Sequence, residues 1–315
     1  MANAYLNMLD IAKMAGADAS VGLIEENLNA YPEARIFPAR TIPGTSFKSL
    51  VRTSYPTVTF RAANEGTETL KSAYANRLHE CFYIDGQLEV DNAVATADEM
   101  GMAHAFTTEA DGVVLGALRT IATQIWYGVG SGGDAKGFPG AVEIVSTGMV
   151  VDAGGTTATT GSSVYLVGTG PKIANLLFGR NMVFETCEWR KNTKIASSKS
   201  LTVWQNSLEG WVGLEWLNPT NYIVRIKKLT EDSGKGLTDA LLADALALFP
   251  VGVVPSHIFM SRRSRKQLQK ARTVTLFGQG TSRPSQPVIA PTPTEYEGIP
   301  IVPTDALLNT EALTL

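Results

Sequence analysis

The sequence predicts an α+β fold, and three observations carry the prediction. Residues 93–127 repeat apolar side chains at helical spacing, strand-like stretches precede them, and a β-rich region over 141–228 follows without regular βαβ alternation. At about 150 residues per domain, 315 residues suggest two structural units. Hydrophobic residues at 44% suffice for a substantial core, which excludes wholesale disorder. Charged residues make up 18%, below the usual ~25%, as expected where much surface is shared between protein chains.

Taken in order, residues 1–60 read as an arm. Tyr5, Leu6, Met8, Leu9, Ile11 and Met14 line a short amphipathic helix, and a second runs from Ser20 to about Leu28. Pro38, Pro43 and Pro56 then punctuate an extended path, since each removes an amide donor and restricts its predecessor. So much irregular chain calls for another surface to lie on.

Residues 57–91 read as strands: Thr57–Phe60, then, past the polar stretch Thr67–Ser72, Leu78–Gly86 with Asp85-Gly86 as a turn signal. A lone hairpin is marginal in water, so a long two-stranded projection implies docking on a neighbour. Over 93–127, Phe106, Val113, Leu118, Ile121 and Ile125 predict a long helix, loosened near Gly112 and Gly116, that packs on a sheet. Trp126 and Tyr127 close it before a Gly-rich turn over 128–140.

Further on, Ser163–Val167 predicts a central strand and Pro171–Leu177 a short helix. Gly210–Trp216 and Asn221–Ile226 flank a turn. A helix from about Leu237 to Leu248 and a strand over Ser256–Met260 follow. Ser261 caps a basic helix, Arg262–Arg272. Gly278–Thr292 is a Ser/Pro-rich loop, and Gly298–Val302 is a last strand.

The chemistry-bearing candidates are few. Gly128-x-Gly130-x-x-Gly133 matches a dinucleotide pattern in spelling, but it follows a helix and opens none, so a tight connection is expected. His79, Cys81 and Asp85 share a face of one straight strand, with Asp85 about 20 Å from His79. That leaves a Cys-dependent enzyme as an alternative without a local orienting group. His104 and His257 fall in other elements, and nothing calls for a metal or another cofactor. Two cysteines exclude a disulfide scaffold. The N-terminus lacks a secretory pattern, and no window predicts a membrane span.

With 27 Lys+Arg against 30 Asp+Glu, the net charge of -3 argues against a dedicated duplex reader. The sharpest local charge is Arg262, Arg263, Arg265, Lys266, Lys270 and Arg272, of which Arg262, Lys266 and Lys270 share a helical face. These are candidates for contacting a phosphate backbone or an acidic subunit, against the plainer reading of a solvated face. The five tryptophans are expected in the core or at contacts.

Phe60-Arg-Ala-Ala-Asn-Glu-Gly66, Tyr83-Ile-Asp-Gly86 and Val90-Asp91 together resemble the hairpin region of HK97-type major capsid proteins of tailed bacteriophages. Ser162-Ser-Val-Tyr-Leu-Val167, Gly210-Trp211, Tyr222-Ile-Val-Arg-Ile226 and Tyr296–Leu307 are similar to the centre and close of one branch of that family. The order of these motifs, over about residues 1–307, is more specific than any one of them.

The resemblance implies an HK97-like fold with an N-terminal arm at 1–55 and an extended hairpin loop at 56–88. A peripheral domain with a spine helix would span 89–140 and 286–315, and a mixed-sheet axial domain 141–285. It implies a non-enzymatic shell protein, assembled in the bacterial host cytoplasm as hexamers and pentamers of an icosahedral virion head. Arg61, Asn64, Glu65 and Lys71 become interface candidates. Implied partners are further copies, a portal protein, scaffolding and decoration proteins and nonspecifically contacted double-stranded DNA, with no membrane. Some relatives crosslink Lys to Asn, and Lys71, Lys191, Lys194 and Asn192 are residues of that kind. Another phage head or tail structural protein is the alternative.

Overall fold

The computed structural model describes residues 31–171, 173–181, 184–196, 198–217, 219–276, 286–288 and 290–314. The two helices expected within residues 1–30 lie outside the described residues, as does part of the Ser/Pro-rich loop.

Two six-stranded sheets organise the chain. In the first, β1 (Ala39–Thr41) runs parallel to β7 (Ala174–Phe178), which pairs with the far end of β10 (Lys199–Trp216). The middle of β10 pairs antiparallel with β4 (Phe82–Asp91), while β8 (Glu185–Thr186) and β9 (Arg190–Ala196) pair with other stretches of it. The second sheet runs from β15 (Glu295–Tyr296) through β16, β12, the central β6 (Ser162–Val167) and β11 to β5 (Val150–Asp152). There β12 (His257–Met260) lies parallel to β16 (Ile299–Pro303), and β11 (Ile223–Leu229) lies antiparallel to β6.

The long helix Met102–Tyr127 packs its C-terminal half against both sheets. Val114, Leu118, Ile121 and Ile125 recur at intervals of three and four and are buried, which is the amphipathic stripe the sequence announces. It is one continuous helix through Gly112 and Gly116, where added methyl groups would meet nothing within 4 Å. The break falls earlier. Asp98 accepts the Met100 amide at 2.8 Å, and Gly101 takes a φ of 94°, so Asn92–Ala97 is a separate turn capped by Asp91. At the other end Gly128, with φ 60°, closes the helix through its amide on the Gln124 carbonyl.

β6 is buried along its whole length because both faces are covered. Tyr165 and Val167 face a core shared with the long helix, and Val164 and Leu166 face a second core under the helices Asp239–Ala247 and Arg262–Arg272. In the first core, Phe37 lies against Trp126, Trp216 and Phe259 with ring centroids 5.9–6.2 Å apart. Each such ring contributes on the order of 1.5–3 kcal/mol by leaving water, more than the ~0–1 kcal/mol of a surface ion pair. Apolar burial therefore anchors residues 31–42.

Several elements differ from the sequence reading. Pro171–Leu177 forms no helix: Ala174–Phe178 is a fully buried strand, and a short apolar run cannot be assigned by periodicity alone. Thr57–Phe60 is not a strand, and the projecting hairpin instead pairs β2 (Ser46–Ser54) with β3 (Ala73–Glu80). Asp85-Gly86 is no turn. It sits inside β4, opposite Glu209 and Leu208. Gly86 is there for close packing, since a Cβ would stand 2.7 Å from Val113 Cγ1 on the long helix.

Two stretches also join other sheets than the ones first grouped with them. β7 and β10, grouped with the β-rich insertion, pair with each other, and β10 pairs with β4 beside the long helix. Ile299–Pro303, expected to rejoin that helix's unit, pairs with β12 in the other sheet.

Candidate assembly surfaces

The hairpin β2–β3 is fixed at its base and bare beyond it. At the base His79 stacks on Phe47 at 5.1 Å and shares a 2.7 Å hydrogen bond with Ser49. Arg77 donates to the Trp216 carbonyl at 2.8 Å, and Arg40 lies over the Phe47 ring while pairing with buried Glu215 at 3.2 Å. Farther out the strands are largely exposed, and the eight pairs from Ser46/Glu80 to Ser54/Ala73 span about 23 Å in all. Arg52 stacks between Tyr55 and Tyr74, and its guanidinium donates to the Tyr74 hydroxyl at 3.1 Å.

The loop over residues 55–72 carries Tyr55, Val58 and Phe60, which are 78%, 81% and 107% exposed. Three of the four expected interface residues shape this tip. Arg61 donates to the Glu65 carbonyl at 2.6 Å, the Glu65 carboxylate accepts the Ala62 amide at 3.0 Å, and Asn64 takes a left-handed φ of 69°. Arg61 and Glu65 thus hold their own turn instead of pairing side chain to side chain. Lys71 is exposed where the loop returns to β3.

Near the hairpin base, β4 and the long helix enclose an open, mainly apolar groove of about 760 Å³. Phe82, Ile84, Leu208 and Val212 form one wall, Val113 and Ala117 the other, with Gly112 and Gly116 leaving space between.

The basic helix forms over Arg262–Arg272 with Ser261 as its N-cap, as the sequence predicts. Its cations divide. Arg272 makes a two-point pair with Asp239, at 2.6 and 2.9 Å, and Arg263 donates to the carbonyls of Thr160, Leu229 and Asn309. Burial lowers the Arg263 pKa. Both arginines therefore make contacts within the fold. Arg262 pairs with Asp305 at 3.3 Å on the surface. Arg265 is half-buried, and Lys266 and Lys270 stand exposed, one helical turn apart.

The match to a protein-family model covers residues 42–314, and the family is described as Major capsid protein GP7. The chain belongs to this family. It is a shell protein of a phage head.

Among solved structures, a chain of bacteriophage Epsilon15 matches with a TM-score of 0.60 at 18% identity, covering 87% of each chain. A chain of the bacteriophage JBD30 procapsid matches at 11% identity with a TM-score of 0.46, over 93% of this chain and 98% of that one. The first likeness concerns the fold, which is HK97-like. No curated protein matches the chain.

In the capsid protein the His79–Cys81 pair has no catalytic form. Cys81 lies between β3 and β4, so the single straight strand assumed from the sequence does not exist. Burial against Ile42 and Leu177 pushes its thiol up to about 11, away from the thiolate. Burial, then Arg77 and Arg40, lowers His79 to about 4.

The Gly128–Gly140 turn is equally structural. The Gln124 side chain donates to the carbonyls of Asp134 and Phe138 and accepts the Asp134 amide, leaving a packed loop where a phosphate cradle would be. Lys194 pairs with Glu89, Asn192 donates to Gln205, and Lys191 lies over Trp204. Among the described residues, no cluster fit to hold a metal ion occurs, and no helix is long and apolar enough to cross a membrane.

Sequence reasoning missed the C-terminal strap. Leu308 donates its amide to the Tyr127 hydroxyl, Glu311 donates its own to the Gly161 carbonyl, and buried Glu311 pairs with buried Arg225 while accepting from Ser163. The signal available was a lone Arg in the apolar strand Tyr222–Ile226, which needs an acid that only folding can supply.

Proposed function

We propose that the capsid protein assembles as hexamers and pentamers into an icosahedral head around double-stranded DNA, each copy laying its β2–β3 hairpin on a neighbour. The observation that carries this reading is the hairpin itself, whose apolar tip side chains Tyr55, Val58 and Phe60 stand exposed beyond the paired strands. The groove at its base suits such a tip in character. The tip lies at the far end of the paired strands from their base, so a surface on another copy is the partner this reading assigns to it. Burying Phe60 there would contribute on the order of 1.5–3 kcal/mol per contact, repeated across a shell.

In this reading, the long helix with β4, β7 and β10 forms the peripheral domain. The sheet centred on β6, with its two helices, forms the axial domain around the symmetry axes. The role is mechanical and not catalytic. Exposed Lys266 and Lys270 are left to touch DNA or an acidic subunit without reading sequence. Assembly takes place in the host cytoplasm, with a portal protein at one vertex and scaffolding and decoration proteins as further partners.

Electron microscopy of the expressed chain tests the reading. Wild type should give closed shells, and replacing residues 55–72 by a two-residue turn should leave a folded protein that forms none. A wild-type chain that stays monomeric under every assembly condition and is absent from virions would sink it.

A further inference from the structure

Glu33 opens the helical turn Glu33–Ile36, the first among the described residues, and is wholly buried. Its Oε1 accepts a 2.9 Å hydrogen bond from Trp126 Nε1 on the long helix, and its Oε2 has no hydrogen-bond partner. No salt bridge reaches it among the described residues. Thr304 of the C-terminal strap stands beside it. One carboxyl group thus sits where three separate segments meet: the root of the arm, the end of the long helix and the strap.

A charged carboxylate in that place would be costly, with only the neutral Trp126 and Thr304 donors and no salt bridge to offset lost hydration. A neutral acid fits instead: one oxygen accepts from Trp126, and the other becomes an O–H donor toward the Thr304 hydroxyl. We propose that Glu33 is held uncharged in the folded chain and pins a pH-responsive junction, which loosens residues 31–42 when the group ionises.

The surroundings agree. Burial raises the Glu33 pKa, opposed by the Thr304 and Trp126 hydrogen bonds. The facing charge is Asp305, which raises it further and is itself paired with Arg262. Arg35, on the same turn, is exposed, and burial holds Tyr127 and Tyr165 on the neighbouring helix and strand neutral. A carboxyl whose folded pKa is raised stabilises the fold fully below its unfolded value. That stability is lost as pH rises through the folded value.

The test is hydrogen exchange of the full-length monomer from about pH 5 to about pH 9, corrected for intrinsic rates, on wild type and Glu33→Gln. The amide mimics the neutral acid without titrating. In wild type, protection of residues 31–42 and 304–308 should fall by up to about tenfold per pH unit between the ordinary carboxyl pKa and the raised folded one, and level off above it. In Glu33→Gln it should fall by less, and that difference isolates Glu33 from the buried carboxyls Glu215 and Glu311. Equal pH dependence in the two proteins overturns the proposal. So does a Glu33→Gln chain that fails to fold, because a neutral, isosteric side chain should be accepted if the native group is neutral.

Discussion

His79 shows how one side chain reads differently once its neighbours are known. In sequence it stands two residues before a cysteine and suggests chemistry, whereas in the structure it fills the hairpin base between Phe47 and Ser49. Its pKa of about 4 lies below the ordinary 6.5, through burial first and Arg77 and Arg40 second. A base depressed in this way contributes stability that is present above about pH 6.5 and lost as pH falls toward 4. Wild type should therefore lose melting temperature between about pH 6.5 and pH 4, and His79→Phe should lose measurably less over the same range. Identical slopes in thermal melts would show that protonation of His79 does not weaken the hairpin base.

At the scale of elements, the two glycine environments beside the groove predict opposite outcomes. A Cβ at Gly116 meets nothing within 4 Å, so Gly116→Leu should leave melting temperature unchanged or raise it, by up to about 1 kcal/mol of helix propensity. The same side chain would enter the groove, so shells should form slowly or not at all. Normal shells from a Gly116→Leu chain would exclude the groove as a docking surface. Gly86→Ala should instead cost about 1–3 kcal/mol in denaturant titrations, because its methyl group drives into Val113.

Elements were legible where periodicity and capping agreed. The basic helix was read to the residue from Ser261 and its spacing, and Ser163–Val167 fell within one residue of β6. Gly86 failed because Asp-Gly usually turns a chain, while the alternation through Ile84, Leu88 and Val90 was the stronger evidence for a strand.

Over the whole molecule, the C-terminal strap ties the cores together through Arg225 and Glu311. Burial raises the Glu311 pKa, while Arg225 opposes it. Removing one partner of such a pair leaves the other charge buried and alone, so Glu311→Ala should cost about 3–5 kcal/mol of unfolding free energy in urea. The double replacement Arg225→Met with Glu311→Leu should recover much of that loss. A Glu311→Ala chain as stable as wild type would mean that water reaches Arg225.

The sequence by itself determined the α+β class, the long helix, the basic helix and a projection in need of a partner. Those follow from local periodicity, capping and exposed apolar content, all of which lie within short windows. Only the tertiary structure decided where the hairpin starts, which sheet each late strand joins, and which cations are spent on the fold. These depend on contacts between residues far apart in the chain, such as Arg225 with Glu311 or Glu33 with Trp126, and no local pattern encodes such pairings. Close packing acquires its meaning there too: glycine lets helix meet sheet at Gly86, and the loop over residues 55–72 leaves Tyr55, Val58 and Phe60 exposed.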